Sequence, residues 1–402
     1  MNGKEEKQYD RIGRGTPIFS PNSQRMACGA RISKKWIIVL DGKEEKSYDG
    51  LVEGFPSFSP DSKRVTYLAK EGNHWIVIVD GKEGKPYDEI MMGTPIFSPD
   101  SNRIAYAARE GNKVFLIVDG KEVKQYDNIG VGSLAFSPDS QRIAYKASVR
   151  NKWFLVVDQK EQKQYEDTLG GATVFSPDSK RVAYGAYLAK EKNRGFIVVD
   201  GREEKQYEDI SAGSPIFSPD SKRVAYVGGT GNKSLVVVDG KEQKEYDDIL
   251  KDSLIFSPDS QRVGYAARAG NERFTVVDGK EEKPYDDIPT GPIFSPDSQR
   301  VAYTARAGNK SLVVVDRKEE KPYDGIGAAS LTISPDSQRV IYGAVLGKKS
   351  FVVADGKEGT EYDAIISGGR ISGARIVFDR PDSFHYLVVK DNELYLVEES
   401  IQ

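Results

Sequence analysis

The sequence predicts an all-β repeat protein, and three observations carry that reading. A motif of the form "IFSPDSKRVAY" returns about every 39 residues; a second, of the form "DGKEEKPYD", returns with the same period; and no helical periodicity separates them. The first motif is anchored by Phe19, Phe58, Phe97, Phe136, Phe175, Phe217, Phe256, Phe294, Ile333 and, in a degenerate last copy, Phe378. The second is anchored by Tyr9, Tyr48, Tyr87, Tyr126, Tyr165, Tyr207, Tyr246, Tyr285, Tyr323 and Tyr362. Both series have ten members, but their phases differ: the chain opens on the second motif and stops inside a unit that lacks it.

Each unit divides into four strand-like pieces, as "SPIFS", "RVAYVG", "SLVVVD" and "KEYDDI" do between residues 214 and 249. The breaks are tight reversals. In "SPDS" proline fixes φ and aspartate can bond the backbone two residues on, "GTGNK" is a glycine-rich turn, and "DGKE" is an Asp-Gly hairpin signal. Gln159 and Arg317 replace the glycine of that hairpin in two copies, so it does not require glycine strictly. The third piece is apolar on both faces, which a sheet needs only when it is sandwiched between two others. The fourth alternates charge and carries Pro86, Pro284 and Pro322, and proline in a sheet is confined essentially to an edge. The fourth piece is therefore the outer rim.

Small antiparallel four-stranded sheets with two buried faces and a period near 40 residues describe β-propeller blades. The expectation is one domain over 1–402, a single closed propeller of ten four-stranded blades with repeats starting near 16, 55, 94, 133, 172, 214, 253, 291, 330 and 375. Residues 1–10 would supply the outer strand of the last blade, closing the ring with one N-terminal and three C-terminal strands and hiding the open edges. Blades packed at about 10 Å, each with strands about 4.8 Å apart, leave inner strands about 9 Å from the axis of a ten-membered ring, enough for an open channel.

At "FSPDSKRVAY" the chain resembles the WD40-like propeller repeats of the TolB family and of the propeller domains attached to prolyl oligopeptidases. It departs by placing serine where that family has the glycine of Ser-Pro-Asp-Gly, at Ser62, Ser101, Ser140 and their equivalents. A positive φ would strain serine, so a type I turn is expected instead. The resemblance implies protein partners in the bacterial envelope, hence a periplasmic or extracellular location.

Several function classes are disfavoured by composition. Lys+Arg 58 against Asp+Glu 61 leaves a net charge of −3, with no overall basic field for nucleic acid. The longest apolar runs, "WIIVL" and "WIVIV", have five residues and cannot span a bilayer. The single cysteine, Cys28, reads as a small buried hydrophobe. The two histidines, His74 and His385, lie in different repeats, which argues against a nucleophile-histidine constellation, and His385 reads as a packed strand residue. Asp247-Asp248 and Asp286-Asp287 recur as a rim feature and read as structural. Neither a metal nor a cofactor is expected.

Within this one sequence the "SPDS" and "DGKE" turns barely change, whereas the loops of the opposite face do: "RIGRGT", "LVEGFP", "IMMGT", "ILKDS". Recognition is expected on the varied face, with Arg14, Glu53, Phe55, Met92, Lys251, Arg370 and Arg375 about the channel mouth and His74, Arg109, Arg150, Lys190 and Arg194 farther out. The loops 187–195 and 364–375 break the symmetry of the repeats. The functional expectation is a monomeric, non-catalytic scaffold binding a protein, peptide or glycan. The alternatives are a propeller belonging to a hydrolase and a glycan-active enzyme using Glu53.

Overall fold

A run such as "KVFLIV", bounded by Gly-Asn and Asp-Gly turns, has too few residues and too many β-branched ones for a helix, and it forms a strand. The computed structural model describes residues 7–14, 17–52, 56–168, 173–188, 194–211, 215–327, 330–366 and 376–401. The third blade shows the pattern. Two short inner pieces, Glu89–Ile90 and Ile96–Phe97, pair with opposite ends of one second strand, Ile104–Glu110, which pairs in turn with Lys113–Val118 and that with the rim strand Lys121–Tyr126. All of these pairings are antiparallel. Ten such sheets follow one another along the chain. Pro86 lies in the rim of blade 2, between Lys82–Glu83 and a single bridge from Trp75 to Tyr87, and the rims of blades 4, 5 and 9 are interrupted at the same place without a proline.

Two expectations about the strands need correction. The rim and the following residues are not one strand: Asp248–Ile249 leaves the rim at Tyr246 and pairs with Arg268 and Ala267 of the next sheet. The inner strand thus begins earlier than the repeat does, at Gly50 rather than near 55 and at Glu89 rather than near 94, and is split by a loop. The last sheet has inner pieces Ala364–Ile365 and Val377–Arg380, a second strand Ser383–Lys390 and a third strand Glu393–Ser400, with no rim strand among the described residues.

The chain forms two compact units, Met1–Asn193 with Val198–Glu203 and Arg194–Ile197 with Glu204–Gln402. Blades 1 to 4 lie in the first, blades 6 to 10 in the second, and the boundary runs through the third strand of blade 5. Within each unit the cores sit between successive sheets, where alternate residues of the second and third strands interleave. Ala105, Leu116 and Tyr126 of blade 3, for example, share a cluster with Ile143, Tyr145 and Phe154 of blade 4. Cys28 is half-buried beside Ala30 and Val39, and burial pushes its thiol above its ordinary pKa, as befits an inert packing residue.

One turn corrects the reading of the serine motif. Ser59-Pro60-Asp61-Ser62 closes as expected, with Ser62 N–H donating to Ser59 O at 2.8 Å, yet Ser62 itself sits at φ 66°. The eight equivalent serines among the described residues also lie between 57° and 67°. The reason lies in the next sheet. Ser62 Oγ accepts the Asn22 N–H of blade 1 at 3.0 Å, and Ser101, Ser140, Ser260, Ser298 and Ser337 accept the corresponding Asp N–H at 2.9 Å. Glycine would relax the backbone but could not make this bond.

An arginine reinforces it. Arg64 donates through Nε to Asp80 of its own Asp-Gly hairpin at 2.9 Å and through Nη1 to the Ser101 and Asn102 carbonyls of the following blade at 3.1 and 3.0 Å. Its guanidinium lies 5.2 Å from the Phe97 ring centroid. Arg25, Arg103, Arg142, Arg223 and Arg262 repeat the arrangement over Phe58, Phe136, Phe175, Phe256 and Phe294. At the rim, Lys46 and Tyr48 converge on Glu83 of the next blade at 2.7 and 2.9 Å, and Lys85 and Tyr87 on Glu122, both at 2.9 Å. Lys7 and Tyr9 make the same contact with Glu44 at 2.8 and 3.2 Å.

Ser101→Ala, which keeps the left-handed backbone and loses the acceptor, should cost about 1 kcal/mol, and Ser101→Gly less, because glycine regains about as much in backbone strain. Urea unfolding midpoints of the two variants test that order. Acid sensitivity follows from the same contacts. Asp100 is held at about 2 by Ser98 and Asn102, and Glu83 and Glu122 are lowered chiefly by Lys46 and Lys85. Groups lowered on folding stabilise above their unfolded pKa. The midpoint should therefore be flat around neutrality and fall as pH drops from about 4.5 towards 2, a loss checked by thermal scans across that window.

Candidate interaction surface on the varied face

The loop between the two inner pieces is held at its base and free at its tip. In blade 3, Thr94 Oγ1 donates to Met91 O at 2.7 Å and accepts the Ala107 N–H at 3.4 Å. Ser133, Ser253 and Ser330 do the same in blades 4, 7 and 9, bonding Gly130, Leu250 and Gly327 carbonyls and accepting N–H groups from Lys146, Ala266 and Gly343. This cap satisfies the loop's backbone and leaves the tip side chain unconstrained. Met92 is 77% exposed at one tip and Val131 61% exposed at the next. The two loops touch: a Cβ placed on Gly93 would lie 3.3 Å from the Gly132 Cα.

Beneath Met92 lies a groove of about 340 Å³ between blades 2 and 3. Val52, Leu68, Trp75, Ile90 and Met91 form its apolar walls, and Glu89 and Thr94 its polar edge. Leu68 and Ile90 belong to the cluster that joins the two sheets, so the walls are fixed by the core. Lys70 Nζ lies 5.5 Å from the Trp75 ring centroid. Arg109 Nε bonds Glu89 at 3.2 Å and its Nη2 reaches Asn128 of blade 4 at 3.5 Å, so this arginine bridges two blades at the groove's rim. His74 Nε2 stands 3.8 Å from Asp88. The structure thus brings Met92, His74 and Arg109 into one neighbourhood.

The other expected residues are not gathered there. Arg14 and Lys251 are exposed, the former in blade 1 and the latter in the second unit. Arg150 is exposed on an outer turn, and Arg194 is exposed at the start of the third strand of blade 5. The Arg150 N–H donates to Asp127 at 2.7 Å, and Lys113 together with that bond holds the Asp127 carboxyl below the ordinary range. Glu53, Phe55, Lys190, Arg370 and Arg375 lie outside the described residues, as do most of the loops 187–195 and 364–375. His385 is not merely packed: its Nδ1 lies 2.8 and 2.9 Å from the two oxygens of Asp379. Three carboxyls of the acidic pairs are bonded within the fold, Asp247 to Lys233 and the Gly270 N–H, Asp286 to the Gly308 N–H and Asp287 to Arg273.

Reading the sequence missed Trp75, although a signal was present. The chain's three tryptophans, Trp36, Trp75 and Trp153, all occupy the second position of a third strand, in blades 1, 2 and 4, where blades 6 to 9 carry Ser234, Arg273, Ser311 and Ser350. Aromatic bulk at this register is confined to the first unit.

No protein-family model matches the sequence, and no curated protein matches it. Among solved structures the chain is similar to a eukaryotic initiation factor, at 13% identity and a TM-score of 0.45, over 83% of this chain and 96% of that one. It is also similar to the β-propeller domain of the Trilobed protease from Pyrococcus furiosus, at 17% identity and a TM-score of 0.33, over 67% and 97% of the two chains. TolB from Acinetobacter baumannii is similar at 14% identity and a TM-score of 0.30, over 76% and 84%.

Proposed function

We propose that this chain is a non-catalytic interaction scaffold that binds a protein partner through an extended peptide segment, an apolar side chain of which enters the groove beneath Met92. The observation that carries this reading is the conjunction of fixed apolar walls at Leu68, Trp75 and Ile90 with the exposed tips Met92 and Val131. Buried aromatic anchors in preformed pockets dominate the energetics of such contacts. The polar edge, Glu89 with Arg109, would fix the direction of the peptide. Met92→Asp changes an exposed tip and should leave stability within about 0.5 kcal/mol, yet it should abolish capture of the partner from native lysate, as should Trp75→Ala. Capture undiminished in Met92→Asp would remove the groove from consideration. Product release from a peptide or glycan panel would overturn the non-catalytic assignment.

The same reading takes the ten blades as one closed ring, with residues 2–10 pairing along Glu393–Ser400 as the missing rim of the last blade. Two features support it: Lys7 and Tyr9 already engage Glu44 as each rim engages the next blade, and Leu394 and Leu396 on the last strand are each 60% exposed. Deleting residues 1–10 should lower the thermal midpoint or drive association by strand exchange. A truncated chain that stays monomeric and equally stable would refute the seam.

A further inference from the structure

The same cavity recurs at three blade interfaces on the turn face, beside the Asp-Gly hairpins. It measures about 280 Å³ between blades 6 and 7, about 330 Å³ between blades 7 and 8 and about 370 Å³ between blades 2 and 3. In each, an aliphatic residue and a tyrosine of the following second strand line it: Val263 and Tyr265, Val301 and Tyr303, Ile104 and Tyr106. Blade 2 differs at one rim position. Gly84 stands where blades 1, 3 and 6 carry Glu45, Val123 and Gln243. Val123 packs against the core shared by blades 3 and 4. Gln243 Oε1 lies 2.8 Å from where a Cβ on Gly279 would stand, so that side chain reaches across its cavity to the next hairpin. At Gly84 no side chain intervenes, and a Cβ there would stand 3.3 Å from the Tyr106 hydroxyl.

That hydroxyl is unspent. Tyr106 is 3% exposed, and Tyr87, whose ring it meets edge to face, gives its own hydroxyl to Glu122, which leaves the Tyr106 hydroxyl without a hydrogen bond among the described residues. The equivalent hydroxyls of Tyr184, Tyr226, Tyr265 and Tyr342 are also unpartnered, but they are shut off from solvent. A buried hydroxyl without a partner costs free energy, and a ligand that accepts from it recovers that cost. The charges at the cavity wall are already matched. Asp80 holds Arg64 at 2.9 Å, Glu83 holds Lys46 at 2.7 Å and Asp119 holds Arg103 at 3.3 Å. A cation would have to displace one of these partners, and an anion would face three carboxylates. The carboxylates keep spare lone pairs, and Lys82 is exposed with no ion pair among the described residues. Val77, Val79 and Ile104 supply apolar surface between these groups. Donors and acceptors around an aliphatic floor suit a ring that carries hydroxyls at its edge and C–H groups on its face.

We propose that the cavity under Gly84 binds a neutral sugar, its pyranose ring laid on Val77 and Ile104 and its hydroxyls shared among Tyr106, Lys82 and the Glu83 and Asp119 carboxylates. The site lies wholly within the first unit and on the turn face, so it is independent of the groove beneath Met92. Saturation-transfer NMR on the full chain tests it, with glucose, galactose, mannose and N-acetylglucosamine as probes and galacturonate and glucosamine as charged counterparts. At least one neutral sugar should bind, and the charged counterparts should bind more weakly. Tyr106→Phe should weaken that sugar about fivefold, and should leave the unfolding midpoint unchanged because the lost hydroxyl has no partner. Gly84→Val, which copies Val123, should abolish binding, again without lowering the midpoint. Methyl glycosides that bind as well as the free sugars identify a glycan unit as the source, and loss of binding on methylation identifies a free sugar. No signal from any neutral sugar, equal binding of the charged ones, or binding that both variants retain would overturn the assignment.

Discussion

In blades 1 to 4, 6 and 7 one arginine organises the turn face. It is pulled three ways at once: to the aspartate of its own hairpin, to two carbonyls of the following blade, and onto that blade's phenylalanine. Each bond involves a formal charge in a site about 70% shielded from water, the side chain of Arg142 being 28% exposed, so the contact contributes on the order of 1–3 kcal/mol, more than a typical surface ion pair. The geometry is directional. A blade gives its arginine forward and receives one from behind, and this fixes at once the arginine before the second strand, the aspartate of the hairpin and the serine of the turn. Changing any one of them leaves at least one partner unsatisfied, which explains why this face barely varies across the repeats.

The rim adds a second fastening at larger radius, and the tyrosines connect the two. Tyr48 sits at the end of one rim with its hydroxyl on Glu83 and its ring 6.3 Å from that of Tyr67, edge to face, and the pairing recurs down the chain. Burial pushes the Tyr67 and Tyr106 hydroxyls up to about 12, so these groups stay neutral in the apolar seam. With contacts confined to neighbours, stability within each unit behaves as a sum of blade and interface terms, and a sheet face without a neighbour is a local deficit. Phe19, Leu394 and Leu396 mark such faces by their exposure.

Much of this was legible in one sequence because repetition separates requirement from accident. The period, the reversals, the sandwiched third strand and the proline-tolerant rim follow from residue chemistry within a single unit. What stayed hidden depends on the neighbouring unit. Nothing inside "SPDS" announces that Ser101 is an acceptor for Asp61 of another blade, so a positive φ looked costly rather than compensated. "KEYDDI" reads as one continuous strand because its residues have similar strand propensity throughout, while the crossover after Tyr246 is set by pairing with Arg268. At the candidate surface, comparing loops found Met92 and set Arg109 farther out, whereas the structure puts the two at one groove; it missed Trp75, because that residue lies inside a strand that otherwise looks structural.

The asymmetry between the two faces follows from how their backbone groups are satisfied. On the turn face the arginine and serine groups are bonded between blades, so these side chains answer to two sheets. On the varied face the inner loops are bonded within the blade, by a single Ser or Thr hydroxyl that both donates and accepts. Any residue can then stand at the tip without cost to its neighbours, and Met92, Val131 and Lys251 are three different solutions on the same frame. The blade interface still enters at the groove, because its floor is the core itself: Leu68 and Ile90 are shared by blades 2 and 3. A binding surface built this way draws its shape from residues the repeat must keep and its selectivity from residues the repeat leaves free.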